Sequence, residues 1–196
     1  MGMKKLLITG FEPFGGEQIN PSWEAVSRLP EVVGVYNISK ILLPVSFHNA
    51  FKMVDDMVSK IKPNTIICVG QAGGRNAITP EFVAINFRTA NIPDNDGYKP
   101  IDENIVEYGQ NAYFSTLPVK HITSAIQNAG ITAQISYSAG TYVCNDLLYK
   151  LLHKYFNNNI KIGFIHVPYC IEQNKTPSMQ LDAMVRGLKI AIENID

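Results

Sequence analysis

Five short apolar runs, at residues 5–9, 38–43, 65–69, 131–136 and 160–167, alternate along the chain with longer stretches whose apolar residues recur at helical spacing. A run of this length bounded by turn formers reads as a strand buried on both faces, and strands separated by helices pair in parallel under two helical layers. The helical patterns cover residues 21–29, 48–61, 118–128, 144–156 and 177–195. Asn20 before Pro21 supplies a cap followed by proline at the first helical position, and Gly130 closes the third pattern. The expected fold class is α/β, an αβα sandwich with a twisted, mostly parallel sheet. Residues 1–196 are expected to form a single domain, because no repeat, low-complexity tract or linker divides them. Sheets of this kind carry their sites beyond the carboxyl ends of the strands.

Residues 73–113 break the alternation. They are rich in Asn, Pro and Asp and only weakly periodic, and a long irregular segment inside a compact domain is often functional. Composition narrows the partners: 46% hydrophobic residues with 17 basic against 17 acidic side chains form a core but leave no charge excess to attract nucleic acid or an anionic membrane. No apolar run approaches the roughly 20 residues that span a bilayer, and only a short run follows Met1-Gly2-Met3-Lys4-Lys5 before Gly10, so the sequence points to the cytosol and to a small or peptidic partner. The three cysteines, Cys68, Cys144 and Cys170, are odd in number and show no CxxC spacing, which argues against a disulfide framework and against a thiolate metal site. A catalytic or a buried thiol remains.

Cys144 stands out among them. Ser138-Ala139-Gly140-Thr141-Tyr142-Val143-Cys144-Asn145 places it where an extended segment after a glycine gives way to an amphipathic helix. A thiol there meets unpaired backbone N–H groups and the positive end of the helix dipole, so a stabilised thiolate is expected, and the same amides can hold an oxyanion. Such a nucleophile needs a base, which histidine provides best near neutral pH. His48, His121 and His153 fall on helical patterns where solvated or packing roles suffice, whereas His166 ends the run Gly163-Phe164-Ile165 and is expected at the carboxyl edge of the sheet. An acidic group to orient the imidazole is supplied by Glu81, in the loop after the strand ending Val69-Gly70. By contrast, Cys68 reads as a buried, inert strand residue, and Cys170 as a more accessible loop thiol. Gly10-Phe11-Glu12-Pro13-Phe14-Gly15-Gly16 follows a strand but lacks both GxGxxG and a Gly-Lys-Ser/Thr ending, so nucleotide binding is not indicated.

That glycine-flanked segment, together with Asn20-Pro21-Ser22, Gly70-Gln71-Ala72-Gly73-Gly74-Arg75, Ile92-Pro93-Asp94-Asn95, the segment around Cys144, and Gly163-Phe164-Ile165-His166-Val167-Pro168-Tyr169, resembles the pyrrolidone-carboxylate peptidases, or pyroglutamyl peptidase I, nearly end to end. The resemblance implies a cysteine peptidase that removes N-terminal pyroglutamate from peptides, with Glu81, Cys144 and His166 at the triad positions. It also implies a cytosolic enzyme that needs no cofactor or metal and assembles as a homotetramer or homodimer. Pyroglutamate is a neutral lactam without an α-ammonium group, so its pocket calls for apolar walls and a few amide partners. By resemblance, Phe11 and Phe14 sandwich the ring, Gln71 lies at its polar edge, and Ile92, Tyr142 and Val143 complete the lining.

Three charges of the family pattern are missing. The family continues Glu-Arg where this chain has Glu81-Phe82, and Asp-Ala-Arg where it has Thr89-Ala90-Asn91; the arginine aligned with Asn91 organises the site near the oxyanion. Asn91 offers hydrogen bonds without charge, and losing one oxyanion donor lowers turnover by about 10²–10³. Arg88, three residues upstream, either reaches the same place or is a surface arginine. Tyr137 and Cys170 also depart from the family's usual residues. The alternatives to an active pyroglutamyl peptidase are a catalytically weakened pyroglutamyl-peptide binder and a related cysteine hydrolase of altered acyl specificity.

Overall fold

In the computed structural model, which describes residues 2–196, the chain runs β1 (Lys4–Phe11), α1 (Pro21–Ser27), β2 (Val32–Val33), β3 (Tyr36–Leu43), α2 (Asn49–Ile61), β4 (Thr65–Gln71), β5 (Thr79–Pro80), β6 (Val83–Ile85), β7 (Ala112–Phe114), α3 (Val119–Asn128), α4 (Val143–Tyr155), β8 (Lys161–Val167), β9 (Tyr169–Cys170), a 3₁₀ turn (Ile171–Gln173), β10 (Ser178–Met179) and α5 (Leu181–Glu193). Six strands form one sheet in the order β2-β3-β1-β4-β8-β5. The pairs among β3, β1, β4 and β8 are parallel, and the short edge strands β2 and β5 run antiparallel to their neighbours. The expected mostly parallel α/β class is the observed one.

Strand side chains alternate between faces, which divides the core in two. Leu6, Ile8, Ile67, Val69, Ile165 and Val167 turn toward the face covered by α1, α3 and α5, where Val26, Ile122 and Leu188 meet them. On the opposite face Leu7, Ile66, Cys68, Ile162 and Phe164 meet α2 and α4 through Val54 and Leu148. Each buried aliphatic side chain contributes about 1.5–3 kcal/mol, so every central strand is fixed in register from both sides. The parallel order brings the carboxyl ends of β1, β4 and β8 to one edge, and α4 begins beside them.

Two expected elements differ. Residues 131–136 form only the isolated parallel bridges Ile78↔Ala133 and Glu81↔Ser136. Ile78 N donates to Thr132 O, Gln134 N to Ile78 O and Ser136 N to Pro80 O, but Pro80 has no N–H to continue the ladder toward Gln134. The last helix starts at Leu181 instead of 177, because Ser178 and Met179 first pair with Tyr169 and Cys170. As the sequence suggests, residues 73–113 are mostly irregular; β5, β6, the start of β7 and an Arg88↔Glu103 bridge are their regular pieces.

Candidate active site

The register of β8 decides where His166 stands. It is paired with Gly70 of β4 on one side and with Thr79 of β5 on the other, and only 3% of its surface is exposed. Two residues beyond Thr79, the wholly buried Glu81 anchors its own N–H on Phe164 O at 2.8 Å and sets its carboxylate Oε1 2.6 Å from His166 Nδ1. That contact fixes the ring's tautomer and leaves Nε2 for chemistry.

Cys144 reaches the same place from the other layer. Tyr142, in extended conformation, precedes α4 without a side-chain cap, and Cys144 is the second residue of the helix. The first N–H groups of a helix lack intrahelical partners. The sulfur lies against Gly70: a Cβ added there would stand 3.0 Å from Cys144 Sγ and 2.8 Å from the Phe164 ring. The thiol therefore sits over the residue paired with His166, in a gap that only glycine leaves open.

Cys144 and His166 open into one cavity of about 430 Å³. Phe11, Phe14, Gln71, Tyr142 and Val143 line it with them, and Glu81 stands behind His166. Phe11 is buried at the end of β1; Phe14, half-buried just before the turn at Gly15-Gly16, has its ring 6.3 Å from that of Tyr142. Asn91 and Ile92 are not brought to the cavity wall. Asn91 is exposed, and Ile92 is 46% exposed, with its Cδ1 near Gly15 at the rim. The cause is local: Ala90 N is held by Pro100 O, Tyr142 Oη donates to Pro93 O, and Asp94 accepts hydrogen bonds from the N–H groups of Phe47, Asp96 and Tyr98, so the chain between turns outward. Arg88 faces elsewhere, paired with Glu103 at 2.7 Å and with buried Asp146 at 3.3 Å.

One functional candidate escaped the sequence. Arg75 lines the cavity and donates from Nη1 to Glu81 Oε1 at 2.8 Å and to Thr79 Oγ1 at 2.6 Å, and from Nη2 to Ser138 O at 3.1 Å. Its signal was an arginine at the end of Gly73-Gly74-Arg75, but an irregular turn gives no periodicity from which its direction can be read. Asn20, Val45, Ala72 and residues 138–140 complete the lining. Asn20 is also the expected cap of α1, accepting from Ser22 N at 3.1 Å.

Burial pushes the Glu81 carboxyl up, but the His166 ring, Ser136 and Arg75 outweigh it and hold the carboxyl below its ordinary range. Ser136 acts here by proximity, since its hydroxyl donates to Ser138 O and Glu81 Oε2 has no hydrogen-bond partner among the described residues. Cys144 moves opposite to the expectation of a stabilised thiolate. The residue is half-buried, and desolvation of its sulfur, followed by the negative charge of Glu81, raises the thiol against a smaller lowering by Arg75 and its own backbone N–H. Desolvation thus exceeds the helix-end effect, so a thiolate here calls for a base within reach. Cys68 is buried and pushed up to about 12, as an inert core thiol should be. Cys170 is also buried, 1% exposed on β9, which corrects the reading of an accessible loop thiol; pairing with β10 covers it. The other histidines lie away from the cavity: His48 is exposed against Tyr98, His121 is exposed on α3, and His153 Nδ1 lies 2.9 Å from Tyr113 Oη.

A family model described as pyroglutamyl peptidase matches residues 4–196. The chain belongs to the pyroglutamyl peptidase family. It is a hydrolytic enzyme of that class. Pyrrolidone-carboxylate peptidases of Thermosipho africanus and Lactobacillus helveticus are 51% and 48% identical to it, the alignments covering 97% and 96% of this chain and 96% and 97% of theirs. The crystal structure of pyroglutamyl peptidase I from Bacillus amyloliquefaciens superposes with a TM-score of 0.94 at 46% identity, covering 98% of this chain and 96% of that one. Pyrrolidone carboxyl peptidase from Thermococcus litoralis does so at 0.95 and 43%, covering 98% and 93%. Among the described residues no group of three or more His, Cys, Asp or Glu is placed to hold a metal ion, and no helix is long and apolar enough to cross a membrane.

Proposed function

We propose that this member of the pyroglutamyl peptidase family removes N-terminal pyroglutamate from peptides with Cys144 as nucleophile, His166 as acid and base, and Glu81 as the group that orients the imidazole. The observation that carries the assignment is the buried 2.6 Å contact between His166 Nδ1 and Glu81 Oε1, beside the glycine over which Cys144 Sγ lies. Cys144 Sγ attacks the carbonyl carbon as its proton passes to His166 Nε2; the oxyanion is held by free N–H groups at the start of α4. His166 then protonates the leaving amine, and water, deprotonated by the same ring, cleaves the thioester to release pyroglutamate and restore the thiol. Phe11, Phe14, Tyr142 and Val143 supply the apolar walls for the lactam, and Gln71 its polar edge.

The test is release of a chromophore from a pyroglutamyl amide under reducing conditions. Cys144→Ala is expected to lower kcat by about 10⁴ or more, and a folded wild type that releases nothing overturns the assignment. A weakened binder is the second reading, favoured by the uncharged Asn91 outside the cavity wall and by the raised Cys144 thiol; calorimetry then shows peptide binding without the heat of hydrolysis. We also propose that residues 1–196 act as one domain in a cytosolic homotetramer or homodimer. The single six-stranded sheet and the exposed aromatic rings of Phe114 and Tyr137 support this reading, and sedimentation at several concentrations tests the assembly.

A further inference from the structure

Gln71 brings the polar edge of the cavity, and the direction of its amide decides what that edge accepts. A chain of contacts from three segments fixes that direction. Cys170 N lies 3.1 Å from one amide atom of Gln173, and a backbone N–H only donates, so that atom is the carbonyl Oε1. The other amide atom of Gln173, its Nε2, is 3.1 Å from Glu17 Oε2 and 2.9 Å from the near amide atom of Gln71. Glu17 is a pure acceptor while ionised, and Lys175, bonded to its other oxygen, is the first cause that keeps it so, followed by Gln173 itself. Two donors cannot face each other, so the near atom of Gln71 is its oxygen. Donor and acceptor chemistry alone thus orients both amides.

The oxygen of Gln71 is therefore committed away from the substrate, and its –NH₂, which has no protein partner among the described residues, is the end left for the cavity. We infer that Gln173, held by Glu17 and the Cys170 N–H, is a specificity-determining positioning residue that locks Gln71 as a hydrogen-bond donor, so that the cavity selects an acyl ring bearing a carbonyl acceptor at that edge over a saturated ring. The inference rests on the placement of the lactam in this cavity given above. Gln173 touches no substrate; it acts through Gln71. The link also spans the fold, since Glu17 lies on the loop that carries Phe14, Gln71 ends β4, and Gln173 follows β9.

The experiment compares wild type, Gln173→Glu and Gln173→Met. NMR titration with 2-pyrrolidone, a lactam with no scissile bond, reads the donor directly, and kcat and KM on pyroglutamyl and prolyl amides read selectivity. In Gln173→Glu, made together with Glu17→Gln so that two carboxylates do not face each other, the new carboxylate accepts from Gln71, turning its –NH₂ inward and its oxygen to the cavity. Binding of 2-pyrrolidone is expected to weaken about tenfold or more and KM for the pyroglutamyl amide to rise by a similar factor with kcat nearly unchanged, the pattern of lost uniform binding. Gln173→Met leaves the amide free to turn and is expected to weaken both by about threefold at an unchanged melting temperature. A purely structural role would lower stability and kcat together without changing the preference for the lactam. Unchanged 2-pyrrolidone affinity and KM in folded Gln173→Glu overturn the inference even when the wild type hydrolyses pyroglutamyl amides. A wild type that hydrolyses nothing, yet binds 2-pyrrolidone more tightly than Gln173→Glu does, overturns the assigned chemistry and supports the inference.

Discussion

Two neighbouring stretches of the irregular region treat their charges in opposite ways. Between Gln71 and Glu81 the charged side chains converge on the cavity: Arg75 bonds Glu81, and Glu81 bonds His166. Between residues 86 and 103 they turn to the stretch itself and to α4, where Arg88 pairs with Glu103 and with Asp146, Asp146 pairs with Lys150 at 2.6 Å, and Asp94 closes its own turn. The first set surrounds the His166 imidazole, while the second secures a loop on the helix that carries Cys144. An arginine in a loop near a site thus has two different uses, and its partner, not its proximity in sequence, tells which.

Substitutions that remove one set and spare the other test this division. The largest effect is expected for Glu81→Gln, which keeps the shape but cannot stabilise the imidazolium: kcat should fall by about 10⁴ in a folded protein, measured on a pyroglutamyl amide. A loss of only a few-fold would mean that His166 does not depend on Glu81. Next comes Arg75→Gln, for which a drop of about 10–10² in kcat is expected, because a buried carboxylate loses its cation and the Ser138 carbonyl its anchor. Arg88→Gln should leave kcat within a few-fold and instead lower stability by about 2 kcal/mol, since Lys150 still accompanies Asp146. For a chain of this size that is about 4–8 °C in melting temperature by calorimetry. If the two arginine substitutions gave the same profile, the comparison would fail.

A smaller effect, about tenfold upward in kcat, is expected for Asn91→Arg, whose longer cationic side chain can turn back from the exposed rim toward the cavity; no gain would show that position 91 does not matter to this site. The smallest concerns acid. The folded Glu81 carboxyl lies below its ordinary 4.5, so the unfolded chain binds the extra proton first and stability falls as pH drops from about 4.5 through the folded value. Denaturant midpoints across that window should show a steeper loss in wild type than in Glu81→Gln.

The central strands and the start of α4 were legible because local pattern and tertiary packing agree there: Leu6, Ile67 and Ile165 are apolar, and the sheet buries them. His166 was legible at a strand's end for the same reason. The role of Arg75, the exposure of Asn91 and the burial of Cys170 were not. Each depends on a contact outside its own segment, such as Arg75 with Ser138, Ala90 with Pro100 or Cys170 with Met179, and irregular backbone carries no period that points a side chain. The Cys144 thiol shows the same limit. Helix position is written in the sequence, but the desolvation that opposes it appears only when Phe164, Gly70 and the facing layer are assembled.

The missing side chain at position 70 limits where this site can change. The sulfur rests on peptide backbone, which offers the same groups whatever side chains surround it. Replacing Gly70 by even alanine displaces the sulfur or the Phe164 ring, so this spot admits no gradual exploration. A change of acyl preference is therefore expected from substitutions in the walls and rim, and not from any at the backbone on which the sulfur rests.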